Sequence, residues 1–516
     1  MTHYQMKDFV DLFAREQLLV RAAIYDEDAV VSSVTYDSKE AQDGSLFFCK
    51  GAAFKEAYLK EAVVRGAVGY VSETEYEAVS GSVIIVSDIR KAMAAAACFF
   101  YDHADQKLRL VGITGTKGKS TTAYYFKYIF DEYAASCAKK PCGIVSTIDT
   151  YDGKSLQKSS LTTPEALVLH RHFHNAVESG LSDFVMEVSS QALKYDRVTG
   201  VHFKAGVFLN ISEDHISPME HTDFEDYFSS KLALFAQSEE AYINTESDYF
   251  DRIQSTAQRH AKRVVLFGKH VEADYQVYDI QKTGHEIRFF VRCKKFDAPF
   301  SLAMSGLFNV ENALAAICVC TEWGIPLSAI QKGLRKARTD GRMETYTNAS
   351  GDKVAVVDYA HNKLSFEKLF SSMKEEYPGY TLIAVFGCPG NKAYNRRAEL
   401  GTVAEQYCDR LYLTMDDPAM EKEEEICAQI QSYLVHPQKS HVVYDRGEAI
   451  HRAIVEAPAN SVILITGKGN EGFQKIGNGR VACKNDAFFV KRAFDPAYEK
   501  EPMRQIDEQV PSVRSI

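Results

Sequence analysis

The chain has 516 residues, a formal net charge of −10, 46% hydrophobic and 25% charged residues. Those proportions are ordinary for a globular protein. They exclude a disordered, collagen-like or disulfide-stapled chain, and at about 150 residues per domain the length predicts about three domains. Mild acidity argues against a general nucleic-acid binder, which would show a basic face, but it leaves room for local anion sites.

The first twenty residues mix Asp, Glu, Lys and Arg into the apolar positions, so no secretory signal is expected. The apolar run around Ala94–Phe100 falls short of the ~20 residues of a membrane span. Eleven scattered cysteines with no CxxC pair fit free thiols in a reducing cytosol, and the expectation is a cytoplasmic monomer that binds neither membrane nor nucleic acid.

In chain order, short apolar runs at Ser45–Phe48, Ala67–Val71 and Val83–Val86 alternate with a helical stretch at Lys55–Val64. Polar Asp102–Lys107 then predicts a boundary near residue 106, giving a first domain of 1–106. Leu108–Thr114 reads as a strand, followed by a Gly-rich turn and a helix from about Thr122. With strands at Phe184–Val188 and Ala205–Asn210, this alternation predicts a parallel α/β sheet. Val264–Phe267 and Arg288–Cys293 read as added strands, the second alternating like an exposed antiparallel one. A second break near Thr339–Arg342 divides 107–340 from 341–516. In the last segment Lys353–Asp358, Leu382–Phe386, Arg410–Thr414 and Val462–Thr466 predict another α/β layer. The final twenty residues are polar with two prolines and are expected to extend past the fold.

Chemistry concentrates first in Gly112-Ile113-Thr114-Gly115-Thr116-Lys117-Gly118-Lys119-Ser120-Thr121. An apolar strand runs into a Gly-rich turn and then a helix. Such a turn lets backbone N–H groups wrap phosphates, with the helix N-terminus adding its dipole. Lys119 would neutralise the β- and γ-phosphates and the Ser120 hydroxyl would hold Mg²⁺. Five residues separate Gly112 from Gly118, one more than the G-x-x-x-x-G-K-[ST] spacing. The motif predicts a nucleotide and Mg²⁺ without naming a reaction. His170, His172 and His174 invite a metal reading, but in a helix only His170 and His174 share a face. No carboxylate or Cys partner stands at a matching spacing, and a surface helix is expected there.

The segment Thr114–Thr121 resembles the TGTxGK[ST]T loop of the Mur ligases and folylpolyglutamate synthetases. Thr162-Thr163-Pro164, Met186-Glu187-Val188-Ser189-Ser190-Gln191, Arg197-Val198 and Leu209-Asn210-Ile211 resemble the Mur ligase branch that adds the third peptide residue to UDP-MurNAc-L-Ala-D-Glu. So do Asp214-His215-Ile216-Ser217, Gly306-Leu307-Phe308-Asn309, Gly341-Arg342-Met343-Glu344, Asp358-Tyr359-Ala360-His361 and Gly467-Lys468-Gly469-Asn470-Glu471. These blocks run in family order over residues ~37 to ~475.

The resemblance implies three α/β domains: an N-terminal UDP-binding domain, a central P-loop ATPase-like parallel sheet and a C-terminal Rossmann-like domain. It implies an ATP-dependent ligase working through an acyl phosphate on UDP-MurNAc-L-Ala-D-Glu and a free amino acid. Gly115, Thr116, Lys117, Gly118, Lys119, Ser120, Thr121, Asn309, Asn312, Arg342 and Asp358 are then the nucleotide residues. Mg²⁺ would lie on Ser120, Glu187, His215 and a carbamylated Lys231, and Lys119, Glu187, His215 and Lys231 would serve catalysis. Ser38 (in Asp37-Ser38-Lys39), Thr162, Thr163, Ser189 and Arg197 would contact the sugar nucleotide or its peptide.

For the amino acid, the diaminopimelate-adding members carry D-N-P-R, whose Arg forks onto a second carboxylate. This chain has Asp416-Asp417-Pro418-Ala419, without that fork. Asp416, Asp417 and Glu471 would suit an ammonium group, and L-lysine is the expected substrate, with Lys392 in place of an α-carboxylate-binding Arg. Pro389, Lys392, Asn470 and Asn362-Lys363 depart from the family wording and leave ornithine open. A folylpolyglutamate synthetase-like ligase and a non-catalytic ATP-binding paralogue are the alternatives.

Overall fold

The computed structural model describes residues 4–51, 54–213, 216, 220–283, 286–495 and 497–498. His215 and nearly all of the final twenty residues lie outside the described residues. The described residues form two compact units: those from 4 to 276 with Ala315–Ile330, and Val277–Leu314 with those from 331 to 498.

The first unit begins with a five-stranded sheet in the order Leu19–Ala23, Ser82–Val86, Ala67–Ser72, Ser45–Phe48, Ser33–Thr35. The last four are parallel and Leu19–Ala23 runs antiparallel at the edge. Phe9, Phe13, Ile84 and Ala96 are packed on one face, Phe47, Leu59 and Tyr70 on the other. Strands buried on both faces read as continuous apolar runs, which is why Ser45–Phe48, Ala67–Ser72 and Ser82–Val86 were legible, while partly exposed Leu19–Ala23 and short Ser33–Thr35 were not anticipated.

Next come six parallel strands, neighbours within a larger mixed sheet, in the order Gly143–Val145, Asp183–Glu187, Arg109–Thr114, Phe203–Phe208, Ser238–Asn244, Arg263–Gly268. Its register sets Glu187 beside Ile113 and Phe208 beside Thr114, so three strands end together. Such carboxyl ends are where open α/β sheets hold ligands. The helix after the Gly-rich turn is Lys119–Ser136, starting earlier than the expected Thr122. Ala166–Glu178 is a helix, but not a surface one: His170 is 0% and His172 4% exposed. His170 packs against Cys98 Sγ at 3.4 Å, while His172 contacts the Asp152 carboxylate at 2.7 Å. The histidines satisfy a core, correcting the expectation of a solvated helix.

In the second unit Glu286–Arg292, the antiparallel strand that alternation predicted at Arg288–Cys293, pairs with Asp297–Leu302, which was not anticipated. A six-stranded sheet follows in the order Glu344–Thr347, Lys353–Asp358, Ser461–Thr466, Thr381–Phe386, Arg410–Leu413, Ser440–Val442. All are parallel except the first. Its four inner strands are the predicted ones; the two outer strands were not anticipated. The α/β class holds throughout, and no helix among the described residues is long and apolar enough to cross a membrane.

Candidate active site

In the first unit the turn after Arg109–Thr114 is held by one side chain. Asn210 accepts from Lys117 N (2.9 Å) through Oδ1 and donates to Lys117 O (3.1 Å) through Nδ2. Its own carbonyl accepts from Thr116 N (3.0 Å). Thr116 Oγ1 adds contacts to Tyr227 OH (3.0 Å) and Ser212 O (3.2 Å). Gly118 caps the helix with φ +88°, a backbone that glycine adopts without Cβ strain. Ser120 and Thr121 are buried in the first helical turn.

Two ammonium groups converge on this turn. Lys119 Nζ donates to Gly115 O (2.8 Å) and Thr116 O (3.3 Å). Lys231, from the helix Phe224–Leu232, donates to the same Gly115 carbonyl (3.0 Å) and is 2% exposed, 4.7 Å over the Tyr227 ring.

Glu187 ends its strand 1% exposed, accepting from Thr147 N (2.7 Å) and Thr147 Oγ1 (3.3 Å), with no ion pair to Lys, Arg or His among the described residues. A buried carboxylate with only neutral donors fits a cation, and with the Ser120 hydroxyl it is an oxygen set of the kind Mg²⁺ takes while keeping waters and phosphate oxygens. No three His, Cys, Asp or Glu side chains gather into a metal cage among the described residues.

Beside Glu187, Thr163 Oγ1 donates to Glu187 O (2.9 Å) and accepts from Ser189 N (3.1 Å), while Ser189 Oγ caps the next helix at Ala192 N (3.1 Å). Thr147 Oγ1, whose one proton goes to Glu187, lies 3.1 Å from Thr162 Oγ1. Arg197 reaches Thr163 O (3.2 Å) and shares buried Glu165 Oε1 with Lys50, at 2.9 and 2.7 Å. Two cations on one carboxylate leave this corner net positive. Ser38 is buried and donates to Glu61 (2.7 Å).

In the second unit Asn309 donates to Ser305 O (2.7 Å) and Asn312 to Asn309 Oδ1 (3.0 Å). Asp358 accepts from Met343 N (2.9 Å) and Ala360 N (2.8 Å), and the Arg342 guanidinium lies 4.6 Å over the Tyr359 ring. The loops after Thr381–Phe386 and Arg410–Leu413 touch closely: Gly390 N donates to Asp417 O (2.9 Å), and a Cβ on Gly390 would meet Pro418 O at 1.8 Å. Lys392 stands exposed on the first of these loops.

The three expected carboxylates differ. Lys468, 2% exposed, bonds Asp417 Oδ1 (2.7 Å) and Glu471 Oε2 (2.5 Å), and Tyr359 OH donates to Glu471 Oε1 (2.9 Å). Burial opposes the Lys468 charge, but Glu471, Asp416 and Asp417 overcome it and hold its pKa above the usual lysine value. Asp416 makes no hydrogen bond or ion pair among the described residues. Burial pushes its carboxyl up to about 6, against the pull of Arg446 and Lys468.

Residues 113–320 match the Mur ligase middle domain and residues 341–469 the Mur ligase glutamate ligase domain. An Enterococcus faecalis protein named UDP-N-acetylmuramoyl-L-alanyl-D-glutamate--L-lysine ligase is 40% identical over 452 residues, covering 86% of this chain and 88% of its own. The chain belongs to the Mur ligase family. A Streptococcus pyogenes relative of this Mur ligase, with the same name, is 40% identical over 462 residues, 89% of this chain and 92% of its own. Among solved structures, a UDP-N-acetylmuramoyl-L-alanyl-D-glutamate--2,6-diaminopimelate ligase shares the fold with TM-score 0.67 and 23% identity, covering 96% of this chain and all of its own. A MurF ligase from Thermotoga maritima in complex with ADP gives 0.61 at 17% identity, covering 91% of this chain and 98% of its own.

Within this Mur ligase, Lys119, Lys231, Ser120 and Glu187 lie at or beside the ends of two adjacent strands, and Asp416 and Glu471 on loops following two strands of the other sheet. Sequence reasoning passed over Asn210, Thr147, Tyr227, Lys50, Lys468 and Arg446. Asn210 and Lys468 had a signal, each standing inside a block that resembles the family, Leu209-Asn210-Ile211 and Gly467-Lys468-Gly469-Asn470-Glu471; Lys50 had none stronger than a lysine beside glycine.

Proposed function

We propose that the protein is the ATP-dependent ligase that adds L-lysine to the D-Glu residue of UDP-MurNAc-L-Ala-D-Glu, acting as a cytoplasmic monomer in peptidoglycan precursor synthesis. The observation that carries the ligase reading is the convergence of Lys119 and buried Lys231 on one carbonyl of the Gly-rich turn.

The D-Glu γ-carboxylate attacks the γ-phosphorus of ATP, giving an acyl phosphate and ADP. The lysine α-amine then attacks the acyl carbon, the amide forms, inorganic phosphate leaves and the amine proton passes to solvent. Two anions must meet in the first step, so fixed positive charge lowers its barrier. Lys119 and the N–H groups of Gly115, Gly118, Ser120 and Thr121 hold the phosphates, with Thr116 and Lys117, whose N–H groups go to Asn210, shaping the turn around them. Ser120, Glu187, His215 and a carbamylated Lys231 are the proposed Mg²⁺ ligands, and bound Mg²⁺ supplies further screening of the phosphate charge. Asn309, Asn312, Arg342 and Asp358 are further nucleotide residues. Ser38, Thr162, Thr163, Ser189 and Arg197 serve the sugar nucleotide, with Lys392, Asp416, Asp417 and Glu471 serving lysine. The functional division follows 1–106, 107–340 and 341–516.

The relatives at 40% identity over 86% and 89% of this chain bear the L-lysine ligase name, which supports this reading over a folate-directed one. Phosphate release that requires ATP, Mg²⁺, the UDP-muramoyl dipeptide and lysine together, and that disappears in Lys119→Ala, is the expected result. Release persisting in Lys119→Ala would place the phosphates elsewhere.

A further inference from the structure

Beneath Asp416 lies a buried ion pair that the reaction does not consume. Arg446, the first residue of the helix Arg446–Val455, is 6% exposed, and Asp486, the first residue of Asp486–Phe494, is 1% exposed. The guanidinium forks onto the carboxylate, Nε to Oδ1 and Nη2 to Oδ2, both at 2.7 Å. Its remaining donors go to two main-chain carbonyls: Nη2 to Thr466 O (2.8 Å) and Nη1 to Met415 O (3.3 Å).

Those carbonyls precede Asp416 and Gly467, the residues that start the two loops of the candidate amino-acid site. Gly467 has φ +107°, and a Cβ there would lie 2.5 Å from Asp416 Oδ2, so the carboxylate rests over the bare glycine backbone. The second loop is tied again where Asn485 Nδ2 donates to Asn470 Oδ1 (2.6 Å). One planar fork therefore fixes the ends of Arg410–Leu413 and Ser461–Thr466 against each other, a geometry lysine's single ammonium does not reproduce.

We propose that Arg446 is the positioning residue of the amino-acid site, setting the Asp416 carboxylate over Gly467 to receive the ammonium group of the incoming amino acid. The inference rests on the lysine-ligase reading. Arg446 also acts through charge: it is the strongest influence holding the Asp416 carboxyl down against burial, ahead of Lys468. Asp417 and Glu471 push the other way, and Tyr359, Cys388 and Lys392 also feel the Asp416 charge.

The test is steady-state phosphate release by the full chain, wild type, Arg446→Lys and Arg446→Gln, with lysine varied across the pH range of the Asp416 titration. Wild-type turnover with lysine decides the functional reading by itself. Arg446→Lys is expected to raise KM for lysine at least about tenfold, as loss of charged hydrogen bonds does, while leaving KM for ATP unchanged and the acid limb of the pH profile in place. Arg446→Gln is expected to raise KM likewise and to move that acid limb upward by about one pH unit as the opposing charge is lost. A lysine KM unchanged in a folded Arg446→Lys protein would overturn the proposal, as would equal losses for ATP and lysine. Failure of both variants to fold would assign the pair to stability alone, and would also overturn it.

Discussion

Asp416 and Asp417 are neighbours in sequence and electrostatic opposites. Asp417 meets Lys468 across 51 positions of chain, while Asp416 has no hydrogen bond or ion pair among the described residues, and burial pushes its carboxyl up to about 6. A folded-state value above the ordinary carboxylate ~3.9 means the group favours folding most when protonated. Its contribution is complete below the unfolded value and lost as pH rises through about 6, so Asp416→Asn is expected to flatten that part of a urea-midpoint-against-pH curve. Lysine binding has the opposite sign: it needs the ionised carboxylate and strengthens as pH passes upward through the same range. A lysine affinity that weakens over that rise would contradict the assignment. At Asn210, which ties the Gly-rich turn from both sides, Asn210→Ala is expected to cost about 1–3 kcal/mol in chemical denaturation and to raise KM for ATP. The acidic character of Asp416-Asp417-Pro418-Ala419 was legible in sequence; which carboxylate stays unpaired was not, because adjacency says nothing of where a distant lysine reaches.

At the scale of elements, the helix Lys363–Glu376 reaches back to the turn that carries Asn309. Buried Glu376 Oε1 accepts from Gly306 N (2.7 Å), Leu307 N (2.9 Å) and Ser372 Oγ (2.9 Å), and its Oε2 pairs with Lys282 (2.8 Å). Removing one partner of a buried pair strands the other, so Glu376→Gln is expected to destabilise by about 3–5 kcal/mol. Glu376→Gln together with Lys282→Met should recover part of that loss in a double-mutant denaturation series. If Glu376→Gln costs nothing, the latch is absent. The inner strands were legible because burial on both faces demands unbroken apolar runs. Leu156–Lys158 and Ser440–Val442 were not, being three residues long, largely exposed and polar. Ser238–Asn244 was hidden by Glu239 and Glu240, which sit in the strand because Lys204 pairs with Glu239 and Trp323 Nε1 donates to Glu240. The His170 helix was misread for a similar reason: polarity suggested a surface, whereas burial holds His170 neutral, its pKa pushed down to about 3.

Across the whole molecule one device is used in both units: polar groups at the carboxyl ends of parallel strands. Thr114, Glu187 and Asn210 cluster at or beyond such ends in the first unit, Asp358, Asp416 and Gly467 in the second. The formal charge of −10 is therefore no guide to the sites, since Lys119, Arg197 and Lys50 supply local positive charge at the first and Asp416, with no hydrogen bond or ion pair among the described residues, supplies negative charge at the second. Chelation of divalent ions is expected to abolish phosphate release while leaving the thermal melt of the unliganded chain in place. The most direct measurement is a competition: equal concentrations of L-lysine, meso-diaminopimelate, ornithine and glutamate supplied with ATP, Mg²⁺ and UDP-MurNAc-L-Ala-D-Glu, with the nucleotide product identified by mass. The structure predicts the lysine adduct as the dominant product; incorporation of diaminopimelate in its place, or no peptide extension with any of the four, would contradict it.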